Sequence, residues 1–255
     1  MDVLRKELDG IYSGQHLECE TLDSNIVQSW RKRINDMAGI SNACCVITDA
    51  SADLCYVVGD DIARLMGLTA DRHIDRKFDS SDEDIIYNRI HPEDLVEKRM
   101  LEYEFFKHVD KLDNKTNFTA ACRIRILNFR QEYIYIRNTT QIIATSPKGK
   151  IWLILCCYSL SPDQTFLPDI SPRIIDNSTG NIIIPAIKEQ RKHILTDREK
   201  EVLNLIKEGL PSKQICDKLG ISINTVNRHR QNILEKLSVG NSIEAVMAAT
   251  AMKLL

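Results

Sequence analysis

No CxxC pair, no glycine-rich phosphate loop and no long apolar run occurs in this 255-residue chain, and each absence closes off a class of function. Without metal-ligand spacing or a nucleophile placed beside a base, the sequence carries no recognisable catalytic constellation, and we read no enzyme, no cofactor and no metal site in it. The strongest apolar run, Ile151 to Leu160, is about half of what a membrane-spanning helix needs. The opening residues, MDVLRKELDGIYSG, hold no apolar segment followed by small residues, so no secretory signal is expected. These features predict a cytoplasmic protein with no membrane partner. A large excess of positive charge is missing too. The net charge of -2 and a pI near 6.3 exclude a wholly basic nucleic-acid coat, but not a small DNA-binding module attached to a neutral or acidic domain. Repeats and low-complexity tracts are absent. The eight cysteines sit in a chain far longer than a disulfide-stapled mini-domain, which favours reduced, mostly buried thiols.

What is present divides the chain into parts. Residues 1–39 are expected to be an N-terminal flanking region whose helix places Ile26, Trp30, Ile34 and Met37 at helical spacing before Gly39. Short β-type runs follow at Ala43 to Asp49 and Leu54 to Gly59, then a short helix from Asp61. A longer helix starts at Pro92, with Glu93 and Asp94 at its positive end. FTAACRIRIL, EYIYIRNTTQIIAT and KIWLILCCYSL then read as three long antiparallel strands, since CRIRI and YIYIR alternate with period two. Residues 40–160 are therefore expected to fold as an α+β domain. Four prolines mark 161–192 as a linker, with room for a small hairpin around DNSTGN. Residues 193–255 read as all helix.

In that last segment Thr196 and Glu199 stand three apart, the spacing of a reciprocal capping box, ahead of an apolar stripe of Val202, Leu203 and Ile206 that ends at Gly209. Ser212 is expected to cap a second helix that turns Ile215 and Leu219 inward and stops at Gly220. Ser222 caps a third. Two short helices joined by a tight glycine-containing turn, the second rich in polar donors, form the helix-turn-helix pattern. Around the third helix Val226, Ile233 and Leu237 share one side, with His229 and Leu234 at its margins. Asn224, Asn227, Arg228 and Gln231 fall opposite. These are the types that pair with base edges, Asn and Gln with adenine and Arg with guanine. Lys213, Thr225, His229 and Arg230 are placed to grip the phosphate backbone. The plain alternative for any single one of them is a solvated helix face. A fourth helix, NSIEAVMAATAMKLL, begins with an Asn241–Glu244 cap pair. Ile243, Val246, Met247 and Thr250 are candidate dimerisation residues, and Ala245, Ala248, Ala249 and Ala251 leave a low-relief surface for a partner helix.

The stretches LTDREKEVL, GLPSKQI, LGISINTVNRH and NILEKLSVGNSIEAV resemble the C-terminal domain of the LuxR/GerE family of bacterial transcription regulators over about the last 60 residues. The resemblance implies sequence-specific binding of double-stranded DNA as a homodimer, base contacts from Asn227, Arg228 and Gln231, and RNA polymerase as a partner. Two positions depart from the family pattern, which usually has Lys where Asn227 stands and often Asn where Ser212 stands. Loss of that lysine removes a cation from the interface and favours adenine readout.

Further upstream, GDDIARLMGLT (59–69), IHPEDL (90–95) and the terminal three-strand meander resemble a PAS domain, a sensor and dimerisation fold. That implies an α+β architecture overall: a PAS-like antiparallel-sheet domain followed by an all-α, four-helix helix-turn-helix domain. A receiver domain is rejected, because Asp49 and the Asp60–Asp61 pair are not followed by parallel βα units. The aromatic-rich signature of an acyl-homoserine-lactone pocket is absent. A flavin-reactive cysteine would need a helix, whereas AACRIRI is a strand. Haem would need His73, His91 or His108, and His91, just before Pro92, reads as a cap or packing residue. In a PAS-like sheet the first and last strands are central neighbours and the second flanks the first. Cys44 or Cys45, Cys55, and Cys156 or Cys157 would then lie on adjacent strands. Such a group allows a redox-responsive or metal-binding cluster; against it stands the simpler reading of small residues filling a core. Two functional readings follow. One is a DNA-binding regulator modulated by a small molecule of unknown identity in the PAS-like domain. The other is a DNA-binding protein whose N-terminal domain only dimerises or docks another protein.

Overall fold

The structure, a computed structural model, describes residues 8, 10, 11, 14–80, 83–187, 195–237, 239–251, 254 and 255. The end of the expected linker (188–192), the first two residues of the expected 193–255 domain and parts of the 1–39 region lie outside them. The chain divides into two compact units, one within residues 9–185 and one within 186–255 to which Leu8 also belongs. It is α+β, with the sheet in the first unit and helices alone in the second.

In the first unit, helix α1 (Ser24–Ser41) is capped by the Asp23 carboxylate, which accepts a hydrogen bond from the Asn25 N–H at 2.9 Å. It runs through Gly39, a stop signal in the sequence, and ends at Asn42, whose left-handed backbone (φ 45) returns its N–H to the Ala38 carbonyl. Its buried residues are Ile34 and Ala38, whereas Ile26 and Met37 are partly exposed. Then follow β1 (Ala43–Asp49), β2 (Leu54–Gly59), α2 (Asp61–Leu65), β3 (Ile74–Phe78), α3 (Asp84–Tyr87) and α4 (Pro92–Val109). The meander is β4 (Phe118–Leu127), β5 (Tyr133–Thr145) and β6 (Ile151–Leu160), and a hairpin, β7 (Arg173–Asp176) and β8 (Ile182–Ile183), completes the unit. All eight strands form one antiparallel sheet in the order β3-β2-β1-β6-β5-β4-β7-β8. β1 and β6 are neighbours, third and fourth in that order, and β2 flanks β1, the pairing expected from the sequence.

Sequence alternation explains the layering. In β4, Phe118, Ala120, Cys122, Ile124 and Ile126 are buried, while Ala121, Arg123 and Arg125 are only partly so. β1 is buried along its whole length because both faces are covered. On one face Cys45, Ile47, Val58, Leu153 and Leu155 pack with Ile34 and Ala38 of α1. On the other, β1 and β2 meet α2 so closely at Gly59 that a Cβ there would lie 2.9 Å from the Ala63 Cβ and 3.1 Å from the Cys44 Cα. The β7–β8 hairpin continues the sheet beside β4, with Phe118 to Ala121 opposite Asp176 to Arg173. Among the strands and α-helices described, two escaped the sequence reading. β3 carries Asp75, Arg76 and Lys77 in its middle, the charged composition of an edge strand with no apolar alternation. α3 is only four residues long.

The second unit contains α5 (Asp197–Lys207), α6 (Ser212–Leu219), α7 (Ile223–Leu237) and α8 (Ser242–Ala251). No helix among the described residues is long and apolar enough to cross a membrane.

Candidate nucleic-acid interface

The C-terminal unit is assembled from caps outward. The Thr196 N–H donates to Glu199 Oε2 at 2.8 Å and the Glu199 N–H donates to Thr196 Oγ1 at 3.2 Å, closing the capping box that starts α5. Val202, Leu203 and Leu205 are its buried apolar residues; Ile206, expected in the stripe, lies at its margin because the helix turns Leu205 inward. α6 buries Ile215 and ends at Gly220, whose left-handed φ of 64 lets the chain reverse into α7. The Ser222 hydroxyl accepts from the Thr225 N–H at 3.1 Å and caps α7. Ser212 makes no such cap. Pro211 precedes α6, and the Ser212 hydroxyl is instead occupied by Arg230.

α7 is two-sided. Val226, Ile233 and Leu237 are buried, His229 and Leu234 are intermediate, and Asn224, Asn227, Arg228 and Gln231 are exposed along a stripe at i, i+3, i+4 and i+7. The side chains of Arg228, Asn224 and Asn227 make no hydrogen bond or ion pair among the described residues. Gln231 lends its Nε2 to Glu235 at 3.0 Å. Of the four residues expected at the phosphate backbone, Lys213 is exposed in the first turn of α6, Thr225 lies in the first turn of α7, and His229 is half-buried at the edge of the stripe. Arg230 is placed differently. Its Nη1 donates to Ser212 Oγ and its Nη2 to Ser242 Oγ, both at 2.9 Å, so one guanidinium ties α6, α7 and α8 together. A single side of the helix wheel could not reveal that, because the two hydroxyls come from other helices.

At the far end of α7, Lys236 Nζ donates to Glu199 Oε2 at 2.7 Å. Burial pushes the Glu199 carboxyl up, but Lys236 and the Thr196 N–H outweigh it and hold the group below its ordinary value. α8 opens with the expected pair, the Glu244 N–H donating to Asn241 Oδ1 at 3.0 Å. Its alanines are not a partner surface throughout, since Ala245 and Ala249 are fully buried in their own unit. The opposite stripe contains Ile243 (76% exposed), Val246, Met247 (67% exposed) and Thr250.

In the sheet unit the cysteines do not converge as one cluster. Cys44, Cys55, Cys122 and Cys156 are buried, and burial pushes the thiols of Cys44 and Cys156 well up and that of Cys122 to about 12. Of the expected group, Cys45 and Cys157 lie opposite each other on β1 and β6, Sγ to Sγ 3.7 Å. The three histidines are engaged locally. His91 Nδ1 accepts from the Glu93 N–H at 3.3 Å, capping α4; His73 meets Asp60 at 2.8 Å; and His108 packs edge-on against Phe118. Sequence reasoning missed the group at the heart of this unit. Lys98 is fully buried on α4, where its Nζ donates to Glu102 and, at 3.0 Å, to the Tyr87 hydroxyl. Tyr87 donates in turn to Glu102 Oε1 at 3.0 Å, and the Tyr158 hydroxyl donates to buried Glu83. Burial pushes Glu83 up, while Glu102 and Glu83 more than offset the burial of Lys98 and keep its ammonium charged. The available signal was the i, i+4 Lys–Glu spacing in a helix that lacks a clean apolar stripe.

Helices packed around one core, with a tight turn presenting a two-sided third helix, define a helix-turn-helix module. Residues 193–249 match the family described as bacterial regulatory proteins, luxR family. The chain is 45% identical over 137 residues to the uncharacterized response regulatory protein YgeK of Escherichia coli K12, a match covering 50% of this chain and 85% of that protein. It belongs to the luxR family. It is also 52% identical over 52 residues to the transcriptional regulatory protein DesR of Bacillus subtilis, covering 20% of this chain and 26% of DesR. Matches to DesR and to UhpA of Salmonella typhimurium thus span about a quarter of those relatives' length. Among solved structures, that of the phage VqmA–DPO complex is similar over 91% of this chain and 93% of its own, at 16% identity and a TM-score of 0.32.

Proposed function

We propose that this protein is a sequence-specific transcription regulator that binds double-stranded DNA as a homodimer and acts through RNA polymerase, with its PAS-like domain modulating binding or activation. The observation that carries the reading is the face of α7 on which Asn224, Asn227, Arg228 and Gln231 project from a helix anchored by Val226, Ile233 and Leu237. In this reading those four touch base edges in the major groove, and Lys213, Thr225 and His229 hold phosphate. Arg230 serves by fixing α7 against its neighbours rather than by gripping the backbone. Ile243, Val246, Met247 and Thr250 of α8 meet their counterparts in a second copy, giving two recognition helices for two half-sites. Relatives named as transcriptional regulatory proteins support the assignment. The test is selection of bound fragments from random duplexes by the full-length protein. A two-fold symmetric consensus is expected, and Met247→Lys should lower dimerisation and affinity together. Recovery of unenriched sequence would refute it.

The interior of the sheet domain favours a second reading of that domain alone. Lys98, Glu102, Tyr87, Tyr158 and Glu83 occupy its centre and satisfy one another, as in a domain that only dimerises or docks a protein. A thermal-shift screen of small molecules on the full chain separates the two, because a ligand of the folded state raises its midpoint by mass action.

A further inference from the structure

The pair of sulfurs at the centre of the sheet has a geometry that the other six cysteines lack. Cys45 on β1 and Cys157 on β6 are direct partners in the antiparallel register, and their Sγ atoms are 3.7 Å apart. Facing residues on antiparallel strands hold their Cα atoms about 4.5–5.5 Å apart, inside the roughly 4.4–6.8 Å that a disulfide spans. Sulfur-to-sulfur closure to about 2.05 Å therefore needs side-chain rotation and no strand movement. The neighbours are committed elsewhere. Cys44 faces the opposite side of the sheet, across from Tyr158; Cys156 lies opposite Val46 with its sulfur 3.5 Å from Thr140 Oγ1; and Cys122 donates to Asn138 Oδ1 at 3.6 Å. Cys45 is fully buried beneath α1, whereas Cys157 is partly buried, so Cys157 is the member of the pair nearer to solvent and Cys45 lies behind it.

We propose that Cys45 and Cys157 form a reversible oxidation site, closed to a disulfide by a small two-electron oxidant of the hydroperoxide class. Cys157 Sγ attacks an oxygen of hydrogen peroxide. The O–O bond breaks, one water leaves with the thiol proton, and Cys157 becomes a sulfenic acid. Cys45 Sγ then attacks the Cys157 sulfur, the S–O bond breaks, and hydroxide leaves as a second water with the Cys45 proton. Two thiols and one peroxide thus give one disulfide and two waters. The hydrogen bond to Cys45, and burial, hold the Cys157 thiol above its ordinary range, so it is protonated near neutrality and the first step is slow. The bond fastens the two central strands to each other beneath Trp30, Ile34 and Ala38.

The test uses the reduced full-length protein, native, with hydrogen peroxide in excess over several hours, followed by alkylation and peptide mapping without reductant. The expected product has lost two hydrogens per chain and joins the peptide containing Cys45 to that containing Cys157. Of the eight cysteines in the chain, eight minus two, or six, then titrate after denaturation, and dithiothreitol restores all eight. Cys157→Ser abolishes the cross-link, and Cys44→Ser and Cys156→Ser preserve it. Because Cys45 is buried, the outcome for Cys157→Ser at the partly exposed partner is decisive should Cys45→Ser fail to fold. A native protein that keeps all eight thiols, or a cross-link that survives Cys157→Ser, overturns the proposal.

Discussion

Arg228 and Arg230 are two residues apart on one helix, and the structure assigns them opposite consequences on mutation. Arg230 donates two charged hydrogen bonds, to Ser212 on α6 and Ser242 on α8, from a half-buried position. A hydrogen bond to a charged group contributes about 1.5–3 kcal/mol when well formed. Partial solvent access lowers that, so Arg230→Ala is expected to cost about 2 kcal/mol in total. For a module of about 60 residues, 1 kcal/mol moves the midpoint by about 4–8 °C, which gives a fall of about 8–16 °C in the transition that carries the C-terminal unit. Arg228, exposed and with no bonded partner among the described residues, should leave stability within about 0.5 kcal/mol when changed to Ala. The DNA readout reverses the order of specificity effects. Arg228→Ala should lose about 1–3 kcal/mol of discrimination, about 5- to 150-fold, at particular base pairs, whereas Arg230→Ala should weaken all duplexes alike. Calorimetry of both variants, with competition binding on selected and scrambled duplexes, reads all four quantities. An Arg228→Ala protein that melts early, or an Arg230→Ala protein as stable as the parent, would show the two guanidinium roles to be misassigned.

Three further outcomes follow. Lys98→Met should destabilise the sheet unit by about 3–5 kcal/mol because it strands the buried Glu102, and Lys98→Met/Glu102→Leu should recover most of that loss in a denaturant titration. Thr196→Ala removes the acceptor of the capping box and should cost about 1 kcal/mol, seen as an earlier C-terminal melting transition. Because the Glu199 carboxyl titrates below its unfolded value of about 4.3, its contribution is complete above that pH. It is lost as pH falls through the lower folded value, so an acid titration of Glu199→Gln should be flatter than that of the parent.

Much of this arrangement was legible in the residues themselves. Strand limits at Ala43–Asp49 and Leu54–Gly59 and the start of α4 at Pro92 follow from local signals: β-type runs bounded by turn residues, and proline in a first helical turn. The two faces of α7 follow from a period of 3.6, and its burial pattern obeys it. What stayed hidden depends on partners far away in sequence. β3 is a strand because β2 supplies its hydrogen bonds, despite three consecutive charges. Gly39 failed as a stop because the buried residues Ile34 and Ala38 hold the C-terminal half of α1 against the sheet. Lys98 reads as a solvated charge until Tyr87, Tyr158 and Glu83 are brought around it. Ser212 reads as a cap until Arg230 reaches it from 18 residues away.

One carboxylate joins the first turn of α5 to the last turn of α7. Glu199 receives the Thr196 N–H and the Lys236 ammonium on the same oxygen. α7 is therefore held at its rear end by Glu199 as well as midway by Arg230, and neither anchor uses the exposed stripe of Asn224, Asn227, Arg228 and Gln231. A shape locked this way exists before any encounter, so little ordering entropy remains to be lost on arrival, and side chains at the tip can be exchanged in evolution without retuning the mount.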